Sequence, residues 1–424
     1  MPEMKDSGIE WIGEIPEDWS LLKAKYIFIQ RNQKGNKISL QLLSPTQKYG
    51  VIPQTLYEEL TTNKAVKLKE SVNLAELKTI HKGDYCISLR SFQGGFEYSE
   101  YEGVVSPAYQ VFYPIKQIAD GYYKYMFKDI GFIEKMNSYT LSLRDGKNIA
   151  FSDFGNTYIP VPPLTEQARI ADFLDSKCSE IDALTADIQK EIDVLEEYKK
   201  SVITEAVTKG LEPDVEMKDS GVKWIGVMPN HWECTKGKYI FKYLQKPVRD
   251  DDGVITCFRD GEVTLRSNRR EDGFTMSDKE IGYQGIDVGD LVVHGMDGFA
   301  GAIGISDSRG KASPVLNVLD TDMDKKYVMY YLRSMAYSDV FLALATGIRV
   351  RSCDLRWNKL AELLYPVPPL EEQNKISAFI DKTIKESNAI IESKKQQLET
   401  LEEYKKSVIY EYVTGKKEVP HNDE

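Results

Sequence analysis

The chain has 424 residues, of which 42% are hydrophobic and 29% are charged, and its formal net charge is −11. This length exceeds what one hydrophobic core ordinarily serves, so we expect two globular domains. No apolar run is long enough to span a bilayer, and the first residues lack a secretory signal, so the sequence favours a cytoplasmic protein without membrane contact.

Metal and disulfide chemistry find little support in the sequence. The five cysteines are scattered and include no CxxC pair, and the four histidines show no HExxH spacing. A disulfide framework and a structural zinc site are therefore not expected, and no metal-binding residue is predicted.

The negative charge is concentrated in two short segments. Residues 166–212 hold 6 basic and 12 acidic residues, and residues 371–424 hold 9 basic and 12 acidic ones. The remaining parts are close to neutral, and a near-neutral domain can still carry a local basic face that binds phosphates. The overall acidity therefore does not exclude a nucleic-acid partner.

A tandem repeat organises the chain. The segment MKDSGIEWIG at residues 4–13 returns as MKDSGVKWIG at residues 217–226. Near the end of each repeat, LEEYKKSVI at residues 195–203 is repeated without change at residues 401–409. The bulky residues of the WIGxxPxxW segment keep their places and predict a turn clamped to a core: Trp11, Ile12 and Trp19, then Trp224, Ile225 and Trp232.

Between these borders the two copies diverge. Residues 30–158 and 243–364 have little in common, which is expected if the two middles do parallel work on different targets. Both middles are predicted to be mixed α/β, because short apolar runs leave a glycine turn at Asp84–Leu89 and Asp290–His294. Tyrosine-rich helical patches follow at Tyr122–Met136 and Tyr327–Leu344.

A long helix is predicted after each PVPPL segment. Apolar residues recur every seven positions in the first helix, with Leu184 and Tyr198 between them: Leu174, Ile181, Ile188, Leu195 and Val202. The second helix has a less regular set: Ile384, Ile391, Leu398, Leu401 and Val408. Such narrow apolar stripes are typical of a coiled coil rather than of a helix on a broad core.

The borders of both helices are marked in the sequence. Prolines at 162–163 and 368–369 block helix formation upstream, and Gly210 and Gly415 are typical of helix ends. Each helix is roughly 60 Å long at ~1.5 Å per residue, and neither can bury its stripe alone. We therefore expect the two helices to pack antiparallel on each other; packing of each helix on its own domain is the alternative.

The expected architecture follows from these elements. The fold class is α+β, with two tandem mixed α/β domains at residues 1–165 and 213–370. They are separated by two long antiparallel helices that form a coiled coil, at residues 166–212 and, with a C-terminal tail, at residues 371–424. Antiparallel pairing of equivalent helices would make the arrangement pseudo-twofold symmetric.

Together these features resemble a known family. The paired WIGxxPxxW segments, the junctions PPLTEQARI and PPLEEQNKI and the domain–helix–domain–helix order are similar to those of the DNA specificity (S) subunit of type I restriction–modification systems. The resemblance covers essentially the whole chain. It implies a non-enzymatic subunit in which each domain is a target-recognition domain for one half of a bipartite, asymmetric DNA sequence. The helices would set the spacing between the two halves.

The resemblance also implies partners. Two methyltransferase (M) subunits would dock on the helices, restriction and motor (R) subunits would join them, and double-stranded DNA would be the ligand. No cofactor is expected in this chain, whereas S-adenosylmethionine, ATP and Mg²⁺ are expected in the partner subunits. The sequence contains no NPPY or DPPY motif for amino-methyl transfer and no Walker-type phosphate loop, which fits a binding subunit.

Candidate DNA contacts come from the divergent middles, because the family varies there and no residue role carries over. Arginine can read guanine, glutamine can read adenine and aspartate can accept from cytosine. Predicted contacts in the first domain are Arg90, Ser91, Gln93, Arg144, Lys147 and Asn148. Those in the second domain are His294, Asp297, Arg349, Arg351 and Arg356. Predicted phosphate contacts are Arg31, Lys34, Lys37, Arg266, Arg269 and Arg270.

Other interpretations stay open at this point. The same loops could be ordinary solvated charge, and the run Gly298–Gly304 is expected to be a turn because its spacing is not GxGxxG. A specificity subunit of a related methyltransferase–nuclease system outside type I would read DNA similarly with different partners. A hydrolase would use some of the scattered carboxylates, and a coiled-coil scaffold without DNA binding would suit the acidity.

Overall fold

The computed structural model describes residues 3–35, 41–61, 74–87, 95–139, 149–269, 281–344 and 355–420. The chain divides into two compact units: a first unit of Met1–Ile188 with Gln396–Glu424, and a second unit of Gln189–Lys395. Each unit therefore combines the globular part of one repeat with a segment of both long helices. Within the described ranges, no helix is both long enough and apolar enough to cross a membrane.

The first unit is built from short strands and short helices. Its strands are β1 (Met4–Asp6), β2 (Glu14–Pro16), β3 (Ser20–Lys23), β4 (Phe28–Arg31), β5 (Leu43–Thr46), β6 (Gly50–Pro53), β7 (Lys78–Ile80), β8 (Tyr85–Ile87), β9 (Phe96–Tyr98), β10 (Gly103–Val105), β11 (Gln110–Pro114) and β12 (Tyr158–Val161). Its helices are α1 (Gln54–Thr61), α2 (Asp120–Met126), α3 (Ile130–Ser138) and α4 (Phe151–Asn156), and the long helix α5 (Leu164–Lys209) begins here.

The second unit repeats this plan. Its strands are β13 (Met217–Asp219), β14 (Val227–Pro229), β15 (Glu233–Lys236), β16 (Phe241–Leu244), β17 (Ile255–Cys257), β18 (Val263–Leu265), β19 (Gln284–Ile286), β20 (Leu291–His294), β21 (Ile303–Ile305), β22 (Gly310–Ala312), β23 (Leu316–Thr321) and β24 (Leu364–Val367). Its helices are α6 (Gly237–Ile240), α7 (Lys325–Tyr337), α8 (Val340–Ala343) and α9 (Trp357–Leu360), and the long helix α10 (Leu370–Val413) begins here.

Strand pairing is the same in both units. The central sheet is antiparallel with the order β4-β11-β8-β9 in the first unit and β16-β23-β20-β21 in the second. The two-stranded sheets also correspond: β1-β2 with β13-β14, β3-β12 with β15-β24, β5-β6 with β17-β18, and β7-β10 with β19-β22. The mixed α/β prediction is confirmed, and the duplication extends through the middles whose sequences have little in common.

Both faces of each central sheet are covered at its inner strands, which explains why β8 (Tyr85–Ile87) and residues 291–293 of β20 are apolar without interruption. Tyr85 and Ile87 of β8 face the larger core of the first unit, whereas Cys86 between them faces a smaller cluster. In β20 the flanking residues likewise face the larger core and Val292 faces the smaller one. Successive side chains of a strand point to opposite faces, so burial of both faces selects an apolar residue at every position.

The repeated WIGxxPxxW segment secures the start of each long helix. The indole Nε1 of Trp19 donates to Glu166 Oε2 at 3.1 Å, and that of Trp232 donates to Glu372 Oε2 at 2.9 Å. Both acceptors are the glutamate of the PPLxEQ junction. The two tryptophans are completely or almost completely buried, so the segment is a packing and hydrogen-bonding element.

The glutamine of the same junction links the helix to the tyrosine-rich patch. Gln167 is buried; its Nε2 donates to the Pro162 carbonyl at 2.9 Å, and its Oε1 accepts from the Ala119 amide at 3.0 Å. Gln373 makes the equivalent two bonds in the second unit, both at 2.8 Å. A buried amide with both ends bonded fixes the angle at which strand, helix and patch meet.

The far end of each long helix packs on a tryptophan of the same motif. Gly415 follows α10 with φ at +72°, and a Cβ there would overlap Pro16 and lie 3.1 Å from Trp19 Cη2. Gly210 follows α5 with φ at +77°, and a Cβ there would lie 3.2 Å from Trp232 Cζ2. Glycine is required by both the left-handed backbone and the close approach, and both predicted helix ends are confirmed.

The two long helices run antiparallel in each unit. In the first unit the rings of Phe173 and Tyr412 lie 4.4 Å apart, and farther along α5 Asp182 pairs with Lys405 at 2.6 Å. In the second unit Glu191 pairs with Lys394, and farther along α5 Lys199 donates to Asn388 Oδ1 at 2.7 Å. Partner numbers in α10 fall as those in α5 rise. The antiparallel coiled coil is therefore confirmed, and packing of each helix only on its own domain is excluded.

The apolar stripe of α5 is narrower than the sequence predicted. Leu174, Ile181 and Ile188 are buried as expected. Leu184 and Tyr198 were predicted to be part of the apolar stripe that packs in the coiled coil, but 49% and 52% of their surfaces are exposed. This part of the prediction is wrong, because the partner helix covers only one side of α5 at these positions.

Candidate nucleic-acid interface

The predicted DNA contacts divide into two groups. One group lies outside the described residues: Lys37, Arg90, Ser91, Gln93, Arg144, Lys147, Asn148, Arg270, Arg349 and Arg351. The other group has defined surroundings: Arg31, Lys34, Arg266, Arg269, His294, Asp297 and Arg356.

In the first unit, Arg31 makes strong internal contacts. Its Nε and Nη2 donate to the two carboxylate oxygens of Asp84 at 2.7 and 3.0 Å, and its guanidinium stands 4.2 Å from the ring centre of Tyr113. Asp84 is buried, so this bidentate pair anchors the edge strand β4 to the turn before β8. Lys34 is exposed and forms a backbone bridge with Lys78 of β7.

In the second unit, four predicted residues meet in one cleft. Arg266, Arg269, His294 and Asp297 line a cleft of about 680 Å³ between the ends of β17 and β20 and the segment before β23. Phe258 and Tyr283 add aromatic surface to its wall. Arg356 is not among the lining residues; it is exposed and precedes the first turn of α9.

His294 has a defined protonation state in this cleft. Its Nδ1 accepts from the backbone amides of Met296 at 3.2 Å and Asp297 at 3.0 Å, so the proton of the neutral ring is on Nε2. Burial lowers the pKa of His294, and nearby Asp297 only partly offsets this. A neutral imidazole with an Nε2–H can donate one hydrogen bond to a base edge without adding charge.

Arg259 is a cleft residue that was not predicted from the sequence. It lies in the turn after β17, its Nη2 donates to Asp297 Oδ1 at 2.9 Å, and 60% of its side chain is exposed. A signal was available, because Arg259 precedes Asp260-Gly261, a dipeptide typical of a turn that follows a strand.

Arg269 pairs with two carboxylates, whereas Arg259 pairs with one. It pairs with Asp260 at 2.5 Å and with Glu262 at 3.1 Å, and its guanidinium stands 4.2 Å from the Phe258 ring centre. Arg266 donates from Nε to Thr256 Oγ1 at 3.3 Å. Each arginine of the cleft therefore has a bonded neighbour that orients it.

The cleft is close to electrically balanced. Two of its three guanidiniums, those of Arg259 and Arg269, pair with three carboxylates, and the imidazole of His294 is neutral. Carboxylates repel a phosphate but not the uncharged edge of a base pair. The arrangement is thus better suited to directional hydrogen bonding with bases than to general attraction of the DNA backbone.

The chain is similar to known DNA specificity proteins. The family described as the type I restriction modification DNA specificity domain matches residues 16–194. The type I restriction enzyme MjaVIII specificity subunit of Methanocaldococcus jannaschii is 25% identical over 95% of this chain and 93% of its own length. The type I restriction enzyme EcoBI specificity subunit of Escherichia coli is 28% identical over 33% of each chain.

Solved structures share the fold. A chain from a type I R-M system, solved to explain complex assembly and conformational transition, superposes with a TM-score of 0.66. It is 13% identical and covers 94% of this chain and 98% of its own. The HsdS subunit from Thermoanaerobacter tengcongensis superposes with a TM-score of 0.51 at 13% identity, over 95% and 98% of the two chains.

Proposed function

We propose that the chain is a DNA specificity subunit of a type I restriction–modification system and that its two units read the two unlike halves of one split DNA sequence. One observation carries the proposal: the two units have the same strand pairing throughout, while residues 30–158 and 243–364 differ in sequence. Identical frameworks with different surface residues suit the same task on different base sequences.

The cleft of the second unit supports base reading. It presents arginine forks, a neutral imidazole donor and a carboxylate, which are the groups that distinguish base edges in the major groove. Two recognition units in one chain require two half-sites, so the target is split. Because the two units differ in sequence, the half-sites differ and the target is not a palindrome.

We propose that two methyltransferase subunits dock on the long helices. Leu184 and Tyr404 in the first unit, and Tyr198 and Ile390 in the second, have 48–52% of their surfaces exposed. Leu184 and Ile390 occupy equivalent positions of the two repeats, as do Tyr198 and Tyr404. The same exposed apolar pair in each unit suits two copies of one partner.

The chemistry is assigned to the partners. We propose that this chain catalyses neither methylation nor cleavage, that the methyltransferase subunits bind S-adenosylmethionine, and that restriction and motor subunits use ATP and Mg²⁺. The support is that the family matched is one of DNA-recognition subunits.

A domain exchange tests the two-reader proposal. Residues 30–158 are replaced with the equivalent segment of another family member, and the complex with its methyltransferase is incubated with a pool of random duplexes. Sequencing of the methylated duplexes should show one changed half-site, with the other half-site and the gap unchanged. Replacement of residues 243–364 is the matched control and should change the other half alone. A change in both halves after either exchange would contradict the proposal.

A further inference from the structure

We propose that Arg259 reads a guanine in the half-site of the second unit and that Asp297 holds its guanidinium in the reading position. This inference rests on the function proposed above and specifies one contact of it. It depends on three features of the cleft: a fixed backbone beneath Arg259, a fixed carboxylate beside it, and surroundings that disfavour a phosphate.

The backbone beneath Arg259 is a tight turn. The Phe258 amide donates to the Glu262 carbonyl at 2.8 Å, and the Gly261 amide donates to the Phe258 carbonyl at 2.9 Å. Gly261 has φ at +89°, and a Cβ there would overlap the guanidinium of Arg333. The turn Phe258–Glu262 is therefore closed by its own hydrogen bonds and backed by Arg333, a half-buried residue of α7.

The glycine run Gly298–Gly304 provides the seat for this turn. A Cβ on Gly301, which has φ at +95°, would lie 2.6 Å from the Arg259 carbonyl oxygen, and a Cβ on Gly304 would overlap the Gly261 carbonyl oxygen. The two turns thus pack backbone against backbone, an approach that only glycine allows. The run was expected to be a turn between strands; in the structure it also fixes the position from which Arg259 projects.

The backbone that carries the Asp297 carboxylate is held by hydrogen bonds on both sides. Its amide donates to His294 Nδ1 at 3.0 Å, and its carbonyl accepts from the Ala300 amide at 2.9 Å. The carboxylate accepts from Arg259 through Nη2 alone at 2.9 Å. A guanidinium has five N–H donors, so a bond to one nitrogen orients the fork without using all of it. Asp297 is thus a positioning residue rather than the cytosine reader that its residue type alone suggested.

The surroundings favour a guanine over a phosphate. Arginine forms two parallel hydrogen bonds with guanine N7 and O6, and this pair is a frequent specific contact in the major groove. A phosphate at the same place would approach the carboxylates of Asp297 and Asp260, which line the same cleft. The neutral His294 adds a donor and no positive charge.

Arginine-to-lysine substitution tests the reading role, because lysine keeps the charge and loses the fork. The full chain with its methyltransferase selects from a pool of random duplexes, and the selected sequences of wild type, Arg259→Lys and the control Arg169→Lys are compared. Arg169 is exposed and donates to the Val419 carbonyl on the first unit. We expect Arg259→Lys to lose the preference for guanine at one position by about 10- to 100-fold, with all other positions unchanged.

Two outcomes would overturn the inference. Unchanged preferences at every position would show that Arg259 reads no base, and an equal loss of affinity for all sequences would show that it binds a phosphate. If the wild-type complex itself selects no split sequence, the proposed function fails, and this failure is distinct from that of the Arg259 contact.

Asp297→Asn tests the positioning role. It should weaken the preference at the same single base, and the double variant Arg259→Lys/Asp297→Asn should lose no more than Arg259→Lys alone, because both act through one contact. A loss at a different base, or additive losses, would show that Asp297 does not act through Arg259. Thermal unfolding of each variant should match wild type. Arg259→Gln is a second substitution at this exposed site that also removes the charge, and it should lose the same guanine preference.

Discussion

Among single residues, Glu97 is a buried carboxyl group whose effect on the free energy of unfolding can be measured. It lies on β9, its Oε2 accepts from Lys128 Nζ at 2.7 Å, and its Oε1 has no partner among the described residues. Burial raises the pKa of Glu97 to about 7, and the ion pair with Lys128 offsets only part of this effect. An unfolded chain would ionise the same carboxyl near its ordinary, lower pKa.

The raised pKa makes the stability of the first unit depend on pH. The folded state binds more protons than the unfolded state between the two pKa values, so the free energy of unfolding falls as pH rises through this window. Glu97→Gln removes the dependence. The free energy of unfolding of Glu97→Gln minus that of wild type should therefore increase by about 2 kcal/mol from pH 5 to pH 8, as measured by urea denaturation. Glu100→Gln, an exposed control three residues along the chain, should show no such trend, and a difference that does not change with pH for Glu97→Gln would contradict the prediction.

Sequence reasoning was least effective for pairs that are distant in the chain. The bond of Arg31 to Asp84 was not predicted, because Asp84 lies 53 positions away and nothing local identifies it. Arg259 was overlooked because its place in the cleft depends on the close approach of Gly301. Residue types singled out four of the side chains that line the cleft, whereas long-range packing decides which side chains meet.

At the scale of elements, the exposed tyrosines of the long helices allow the docking proposal to be tested. A tyrosine at the centre of an interface typically contributes about 2 kcal/mol, which corresponds to a loss of roughly 30-fold in affinity. Tyr198→Ser should therefore remove one methyltransferase per chain, Tyr404→Ser the other, and the double variant both. Sedimentation or native mass measurement of the purified complexes gives the stoichiometry.

The control for this series is Tyr239→Ser. Tyr239 is 75% exposed and lies on α6 rather than on a long helix, so its loss should leave two methyltransferases bound. Equal effects of all three single variants would mean that exposed tyrosines contribute only to solubility and not to a specific interface.

The helices themselves were predictable and their exposed faces were not. Seven-residue spacing, prolines upstream and glycines downstream define two helices, and α5 and α10 follow them closely. Leu184 and Tyr198 were assigned to the coiled coil because an apolar residue in a helix usually packs on its neighbour. An apolar residue that binds a partner chain looks the same in the sequence as one that packs in the coiled coil, so periodicity alone does not distinguish them.

At the scale of the whole molecule, the proposed spacing role of the helices predicts a change in the target. Seven residues inserted into α5 after Ile188, together with seven inserted into α10 before Gln396, keep the apolar stripes in register and lengthen both helices by about 10 Å. The gap between half-sites should grow by about 3 base pairs at ~3.4 Å each, with both half-sites unchanged. Methylation mapping on random duplexes measures this.

The matched control inserts the same seven residues into α5 alone. This change breaks the pairing of Asp182 with Lys405 or of Glu191 with Lys394, so the complex should lose stability rather than gain a new gap. An unchanged gap in the doubly extended protein would contradict the spacing role.

The division of the chain has a consequence for its synthesis. The second unit consists of one continuous segment, Gln189–Lys395, whereas the first unit also needs Gln396–Glu424. On the ribosome, the first unit therefore remains incomplete until Gln396–Glu424 has been translated. The second unit has all its residues before that point. Maturation of the nascent polypeptide is thus completed in the reverse of translation order.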